Sequence, residues 1–157
     1  MKNFQNKQKI IKVSKVIRHI LFAGLVLWIG VGIPMAIMQV VNLWNKIGSS
    51  TTLYLQGGAL LMFALSFVIN LKLFRFFDRL KNGNLFDAQT VGNLDAAGKW
   101  WILSSIVEGM YYWGGHEFFK IGQTWGSGGV FAGLTLIFVA WLLKEAQELQ
   151  EEQELTV

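Results

Sequence analysis

Long apolar stretches alternate with short polar breaks along most of the 157-residue chain. The first stretch, residues 20–41, contains no charged residue, and about 20 apolar residues suffice for a transmembrane helix. Three further apolar stretches follow, each of which contains glycines, and the third of the four stretches also contains Glu108. The pattern predicts an all-α polytopic membrane protein, with a single membrane domain over residues 1–157 and four transmembrane helices. The predicted spans are residues 19–43, 53–73, 99–119 and 126–143.

The largest polar break inside the apolar body is the central loop, residues 74–98. Gly83 is expected to end the second helix, because glycine adopts the left-handed conformation of a helix C-terminus at low cost. Asp87 is expected to cap a new helix, since its carboxylate can accept a hydrogen bond from a first-turn N–H. Val91 and Leu94 keep helical spacing, which predicts a short amphipathic helix on the membrane surface between the second and third spans.

Proline and glycine within the spans predict how the helices bend and pack. Pro34 removes one backbone hydrogen bond from the first span, so a kink is expected there. Gly57 and Gly58 in the second span, and Gly129 and Gly133 in the fourth, leave room for a neighbouring helix to approach closely.

Basic residues are distributed unevenly among the polar segments. The N-terminal flank, residues 1–18, holds six Lys or Arg side chains and residues 72–99 hold five, whereas the two other turns contain only Lys46 and Lys120. Segments rich in Lys and Arg stay in the cytoplasm, so both termini and the central loop are expected there. The acidic tail, residues 144–157, then extends from the fourth span into the cytoplasm.

Composition argues against several classes of function. The chain is 53% hydrophobic and 15% charged, against roughly 25% charge in a soluble domain. Its net charge of +4 comes from basic residues that flank apolar segments, so no direct binding of nucleic acid is expected. The chain has no cysteine and two histidines, too few for a thiolate or His-rich metal site. Neither a phosphate-binding glycine loop nor a catalytic set is present, so we expect no enzymatic activity and no cofactor.

The most unusual residue within a predicted span is Glu108, near the middle of the third. A carboxylate at that depth costs about 2.5 kcal/mol or more if it faces lipid, so it should face the bundle interior, a partner or water. Tyr111 and Tyr112 share its helix face and are spaced to hydrogen-bond it. Three interpretations stay open: a proton or cation site in a small transporter or channel, a satisfied structural carboxyl, and a third span that starts later than residue 99.

The loop sequence LFRFFDRLKNGNLFDAQTVGNL and the final EEQELTV resemble a family of small bacterial membrane proteins, the domain-of-unknown-function family 2975. The resemblance implies four spans, a Gly-Asn-Pro-Phe-like turn in this loop and an acidic ending. Here the turn is Gly83-Asn84-Leu85-Phe86, and leucine in place of proline makes it less rigid. The resemblance also implies a bacterial inner-membrane location and no assigned activity. Family members are often encoded beside small helix-turn-helix regulators, which implies a regulatory partner.

The distinctive residues outside the predicted spans all lie on the predicted cytoplasmic side. We therefore expect a non-enzymatic regulatory or scaffolding protein in the lipid bilayer that binds a cytoplasmic partner through the central loop and the acidic tail. The candidate contact residues in the loop are Arg75, Arg79, Asn84, Phe86 and Asp87. Those in the tail are Leu149, Glu151, Glu152, Glu154 and Leu155. The alternatives are a transporter built on Glu108, alone or as a homo-oligomer, and an accessory subunit of a larger membrane complex.

Overall fold

The computed structural model of the chain describes residues 2–45, 50–83, 87–120 and 128–155, and its regular structure over them is all-helical. Within these ranges the side chains at positions 2–7, 42–45, 52, 150–151 and 153–155 fall outside the description. The α-helices are α1 (Lys2–Leu27), α2 (Ile33–Asn45), α3 (Ser50–Lys81), α4 (Ala88–Phe119) and α5 (Gly128–Leu155). The predicted all-α class is confirmed over these residues.

Helices α1 and α2 form one continuous rod, joined by a single π-helical turn at Trp28–Gly32. In that turn the backbone N–H of Ile33 donates to the carbonyl of Trp28, five residues earlier. Pro34 follows at once, and in a regular α-helix its ring would crowd the carbonyl four residues back. The wider turn relieves this crowding, so the helix changes its geometry beside the proline at which a kink is predicted.

The connection between α3 and α4 follows the predicted caps. Gly83 has a left-handed backbone angle φ of 84°, and its N–H donates to the carbonyl of Leu80 over 3.0 Å. Asp87 precedes α4 in an extended conformation, and its carboxylate accepts a hydrogen bond of 3.3 Å from the N–H of Gln89. Both capping predictions are confirmed.

Helix α4 is a single helix of 32 residues. The structure corrects the prediction of a separate surface helix, because residues 88–98 form the first turns of α4 and continue unbroken into the predicted third span. The segment contains no proline to stop the helix. Its Val91 and Leu94 side chains are buried in the bundle core with residues of α3 and α5, which holds it to the bundle.

The helices pack as a row, in the order α1, α3, α4 and α5. Between ring centroids, Phe22 lies 6.1 Å from Phe74 and Trp28 lies 3.8 Å from Phe63. Later residues of the α1–α2 rod therefore contact earlier residues of α3, so the rod and α3 are antiparallel. Helices α3 and α4 occupy the middle of the row.

Glycines allow the closest approaches within this row. A Cβ at Gly58 of α3 would meet the ring of Tyr111 in α4, and one at Gly129 of α5 would meet the side chain of Ser105 in α4. The predicted packing role of these two glycines is confirmed. Gly57, in contrast, has no atom of a neighbouring helix within 4 Å of where its Cβ would be, so the same prediction is wrong for Gly57.

Large apolar side chains cover the outside of the row. Along the α1–α2 rod, Val26, Ile37 and Met38 are exposed by 51%, 58% and 65%. Water-soluble proteins seldom expose contiguous apolar surface on this scale. Among the described helices three, the α1–α2 rod, α3 and α5, are long and apolar enough to cross a membrane.

Candidate functional site

Most of the described charged side chains of α3, α4 and α5 gather at one end of the bundle. We call this region the charged end, and it comprises residues 72–83, 87–99 and 140–152 together with Arg18 of α1. Beneath the charges lies a buried apolar cluster of Phe76 and Leu80 from α3, Val91 and Leu94 from α4, and Ala140 from α5. The flanks of the central loop and the turn of α5 that precedes the acidic tail therefore share one core.

Arg79 joins the end of α3 to the start of α4. Its guanidinium donates to the carboxylate of Asp87 and to the side-chain oxygen of Gln89. The Asp87 carboxylate also caps α4, so one group serves both helices. Two of the predicted contact residues, Arg79 and Asp87, are thus paired with each other, and their side chains remain 33% and 37% exposed.

Asp78 forms a second group of ion pairs, which connects α3 to α1. Arg18 Nε lies 2.7 Å from its carboxylate, and Lys81 Nζ lies 2.8 Å from it. The hydrogen bond from Lys81 lowers the pKa of Asp78; burial opposes this effect, and the charges of Lys81 and Arg18 lower the pKa further. Asp78 lies in the last turn of α3, beyond the predicted span, and remains ionised at neutral pH.

Of the three other candidate contact residues in the loop, the structure describes only Arg75. Arg75 is exposed on α3, and no hydrogen bond or ion pair joins it to another described residue. Asn84 and Phe86 lie outside the described residues. Sequence reasoning missed Asp78, although a signal was present, because Asp78 is the single acidic residue within the basic end of α3.

The acidic tail continues α5 as a helix to Leu155, so it begins as an extension of a bundle helix. Leu149 is 53% exposed, and Glu152 is exposed as well. Lys144 Nζ lies 3.5 Å from the carboxylate of Glu148, an i,i+4 pair that supports the helix. The side chains of the other predicted tail contacts, Glu151, Glu154 and Leu155, lie outside the description.

Glu108 lies near the middle of α4 and is half-buried, with no hydrogen bond or ion pair to any other described residue. Tyr111 donates its hydroxyl to the carbonyl of Leu55 over 3.3 Å and stacks on Tyr54 with 4.6 Å between ring centroids. Tyr112 packs edge-on against Tyr111 at 5.7 Å. The predicted hydrogen bonds from the tyrosines to Glu108 are therefore absent among the described residues, and Tyr111 instead fastens α4 to α3.

His116 and Glu117 lie near the C-terminal end of α4. The His116 Nδ1 atom is 3.6 Å from the Glu117 carboxylate, and the two side chains are 67% and 52% exposed. Within the described part of the chain, no three His, Cys, Asp or Glu side chains lie close enough together to hold a metal ion.

No curated protein and no solved structure matches the chain. The family model of DUF2975, described as a protein of unknown function, matches residues 37–157. This match includes the loop and the acidic ending that carry the resemblance, and it extends over α3, α4 and α5. The predicted family is confirmed, and the chain belongs to DUF2975, a family of proteins of unknown function.

Proposed function

We propose that the chain is a four-span protein of the bacterial inner membrane, with both termini and the central loop in the cytoplasm. We further propose that it is a non-enzymatic regulatory or scaffolding protein, which binds a cytoplasmic partner at the charged end. The α1–α2 rod, α3 and α5 supply three helices that are apolar enough to span. The uneven distribution of Lys and Arg supports the orientation.

Helix α4 is the proposed remaining span, and it carries Glu108 near its middle. It packs along α3 on one side and α5 on the other. Tyr111 contacts Tyr54 near the start of α3, and Gly98 approaches Gly133 in α5. A helix that packs beside two membrane spans over this length would cross the same thickness of membrane.

One observation carries the proposed partner site, the apolar cluster beneath the charged end. Phe76, Val91 and Ala140 belong to one cluster. The loop flanks and the turn of α5 that precedes the tail therefore lie close together, so that a single partner could contact both. From this region the tail leaves as a helix with Leu149 exposed. A partner with a groove of mixed basic and apolar character would complement such a helix. The family resemblance favours a small helix-turn-helix regulator as this partner.

Crosslinking in native membranes, followed by mass-spectrometric identification, tests this proposal. The bait proteins are the intact chain, a chain lacking residues 145–157, and the Leu149→Arg variant. We expect a soluble partner with the intact chain and strong loss with both variants. The partner, once purified, should bind the intact protein directly and bind Leu149→Arg weakly. Glu117→Lys, which changes a charge at the opposite end of α4, should leave capture unchanged.

Unchanged capture by the shortened chain would reject the proposed site. Capture of integral membrane proteins alone would favour the accessory-subunit alternative instead.

Transport is a second candidate function, and the environment of Glu108 favours it. The carboxylate is half-buried in a proposed span and has no partner among the described residues. At that depth it would require water, a cation or a second copy of the chain. Proton- or cation-coupled flux into proteoliposomes, lost in Glu108→Gln, would support this candidate. A wild-type protein without flux would exclude it.

A further inference from the structure

An open groove of about 560 Å³ lies between α3 and α4 at the charged end. One wall is α3, with Lys72, Arg75 and Arg79 at helical spacing, and Phe74 contributes an apolar patch. The facing wall is α4, where Gly92 and Asn93 line the space. Because Gly92 has no side chain and an added Cβ there would meet open space, α4 leaves this part of the groove unfilled.

The groove carries an excess of positive charge. Asp78 is already paired with Arg18 and Lys81, and the carboxylate of Asp87 is paired with Arg79. Lys72 and Arg75 have no hydrogen bond or ion pair with any other described residue. Two cations therefore border the groove without a protein counter-charge, within the part of the chain that the structure describes.

The position of the groove along α3 indicates what would supply the negative charge. Residues 57–71 contain no charged side chain, and Lys72 is the first charge after this apolar run. In a bilayer that surrounds the run, the groove opens at the level of the lipid headgroups. Basic pockets between transmembrane helices on the cytoplasmic side bind anionic headgroups.

We propose that this groove binds a phosphate group, that of an anionic phospholipid headgroup or that of a soluble phosphate. Arg75 would contact two phosphate oxygens with its planar guanidinium, which suits phosphate geometry, and Lys72 would add a point charge. The Asn93 amide would donate a further hydrogen bond, and Phe74 would contact the apolar part of a lipid. The proposal uses the membrane orientation proposed above but not the cytoplasmic partner, so the loss of either kind of binding is a separate result.

Native mass spectrometry of the full chain in dodecyl maltoside, titrated with phosphatidylglycerol or phosphatidylcholine, tests the proposal. We expect tighter binding of phosphatidylglycerol to the wild-type protein. In the double variant Lys72→Gln/Arg75→Gln, its affinity should fall about 25-fold, from about fivefold for each basic residue removed. The matched control is Lys99→Gln/Lys144→Gln, which removes the same charge from two exposed i,i+4 pairs outside the groove. The control should retain the wild-type affinity within about twofold.

A second variant tests the site without altering its charge. Gly92→Leu places a side chain where no atom lies within 4 Å of the added Cβ, so it fills the groove without a clash at that atom. We expect it to weaken phosphatidylglycerol binding while the thermal unfolding midpoint is retained. Unchanged affinity in both Gly92→Leu and the double charge variant, or an equal loss in the matched control, would overturn the proposal.

Inorganic phosphate at constant ionic strength distinguishes the two sources. Displacement of the lipid by millimolar phosphate would assign the site to a soluble phosphate, and the absence of displacement would assign it to the headgroup. A peptide with the sequence of residues 144–157 tests for a protein occupant. If that peptide binds through Lys72 and Arg75 more tightly than either phosphate probe, the groove is a docking site for acidic protein segments and the phosphate proposal fails.

Discussion

Gly98 of α4 and Gly133 of α5 face each other at a close approach of the two helices. A Cβ added to Gly98 would lie 2.7 Å from the carbonyl oxygen of Gly133, and a Cβ added to Gly133 would lie 2.8 Å from the carbonyl oxygen of Gly98. Backbone atoms cannot rotate away as the end of a side chain can. The contact therefore requires glycine on both helices, and the predicted packing role of Gly133 is confirmed.

Gly98→Ala is expected to destabilise the bundle by about 1–3 kcal/mol, the usual cost of overpacking. This cost exceeds the gain of up to about 1 kcal/mol that alanine brings to a helix in place of glycine. The control is Gly92→Ala on the same helix, where an added Cβ meets open space, and it should keep or raise stability. The measurement is the thermal unfolding midpoint in detergent, and equal midpoints for the two variants would contradict the observed packing.

The contact between α3 and α4 offers a second matched pair of glycines. Gly58 is buried beneath the ring of Tyr111, so Gly58→Ala should displace that ring from its stack on Tyr54. The neighbouring Gly57 faces open space, and Gly57→Ala should be neutral or slightly stabilising. We expect a lower unfolding midpoint for Gly58→Ala alone, with a loss of about 1–3 kcal/mol. Equal behaviour of the two variants would show that the stack does not hold the helices together.

Local structure could be predicted from the sequence because its causes lie within a few residues. Gly83 acts through its own backbone angle, and Asp87 acts through hydrogen bonds to the first turn of α4. The all-helical class could be predicted from long apolar runs, because such a run can be recognised without knowing which helix lies beside it. The family could be predicted because the sequence motifs that identify it lie in two contiguous segments, the central loop and the acidic ending.

Contacts between helices could not be predicted in the same way. Tyr111 shares a helix face with Glu108, yet its hydroxyl bonds to Leu55, because the partner of a tyrosine depends on which helix lies beside it. Asp78 pairs with Arg18 on a helix far earlier in the chain, and no sequence spacing indicates that pair. Local signals, the Asp87 cap and the spacing of Val91 and Leu94, predict a separate surface helix, whereas burial against α3 and α5 keeps the segment within α4.

Removal of the Asp78 charge is expected to loosen α1 from α3. In Asp78→Asn, Arg18 would lose its ion-pair partner, and its solvent-shielded Nε atom would keep only a weaker hydrogen bond to the neutral amide. Trypsin cleavage after Lys15 should therefore be faster in the variant. The control Asp95→Asn removes a pair with Lys99, whose side chain is 68% exposed, and should leave the cleavage rate unchanged. Equal rates for both variants would argue against an anchoring role for Asp78.

The ion pairs of Asp78 are also expected to make the unfolding midpoint depend on pH in acid. The pKa of Asp78 in the folded chain lies below its ordinary value of 3.8, first because of the hydrogen bond from Lys81. A carboxyl with a lowered folded pKa stabilises the fold above its unfolded pKa, and this contribution is lost as the pH falls through the folded pKa. The unfolding midpoints of wild type and Asp78→Asn should differ by a steady amount from about pH 5 to pH 8 and converge below pH 3.8. A difference that persists in stronger acid would need another cause.

Cysteine labelling tests the number of spans, because the chain has no cysteine of its own. Single cysteines are introduced at four exposed positions, Ser50, Asn82, His116 and Glu145. A membrane-impermeant maleimide is then applied to intact cells and to inverted vesicles. With four spans, Asn82→Cys and Glu145→Cys should react only in inverted vesicles, whereas Ser50→Cys and His116→Cys should react in intact cells.

Ser50→Cys and Asn82→Cys serve as controls, since they mark the two ends of α3, which is long and apolar enough to cross the membrane and is expected to do so with or without α4. If α4 does not cross, α5 begins in the cytoplasm and ends outside, so Glu145→Cys would react in intact cells. His116→Cys provides an independent result, because its labelling from outside requires α4 to cross. The combination of an external His116→Cys and a cytoplasmic Glu145→Cys therefore establishes four spans, and any other pairing of these two results rejects them.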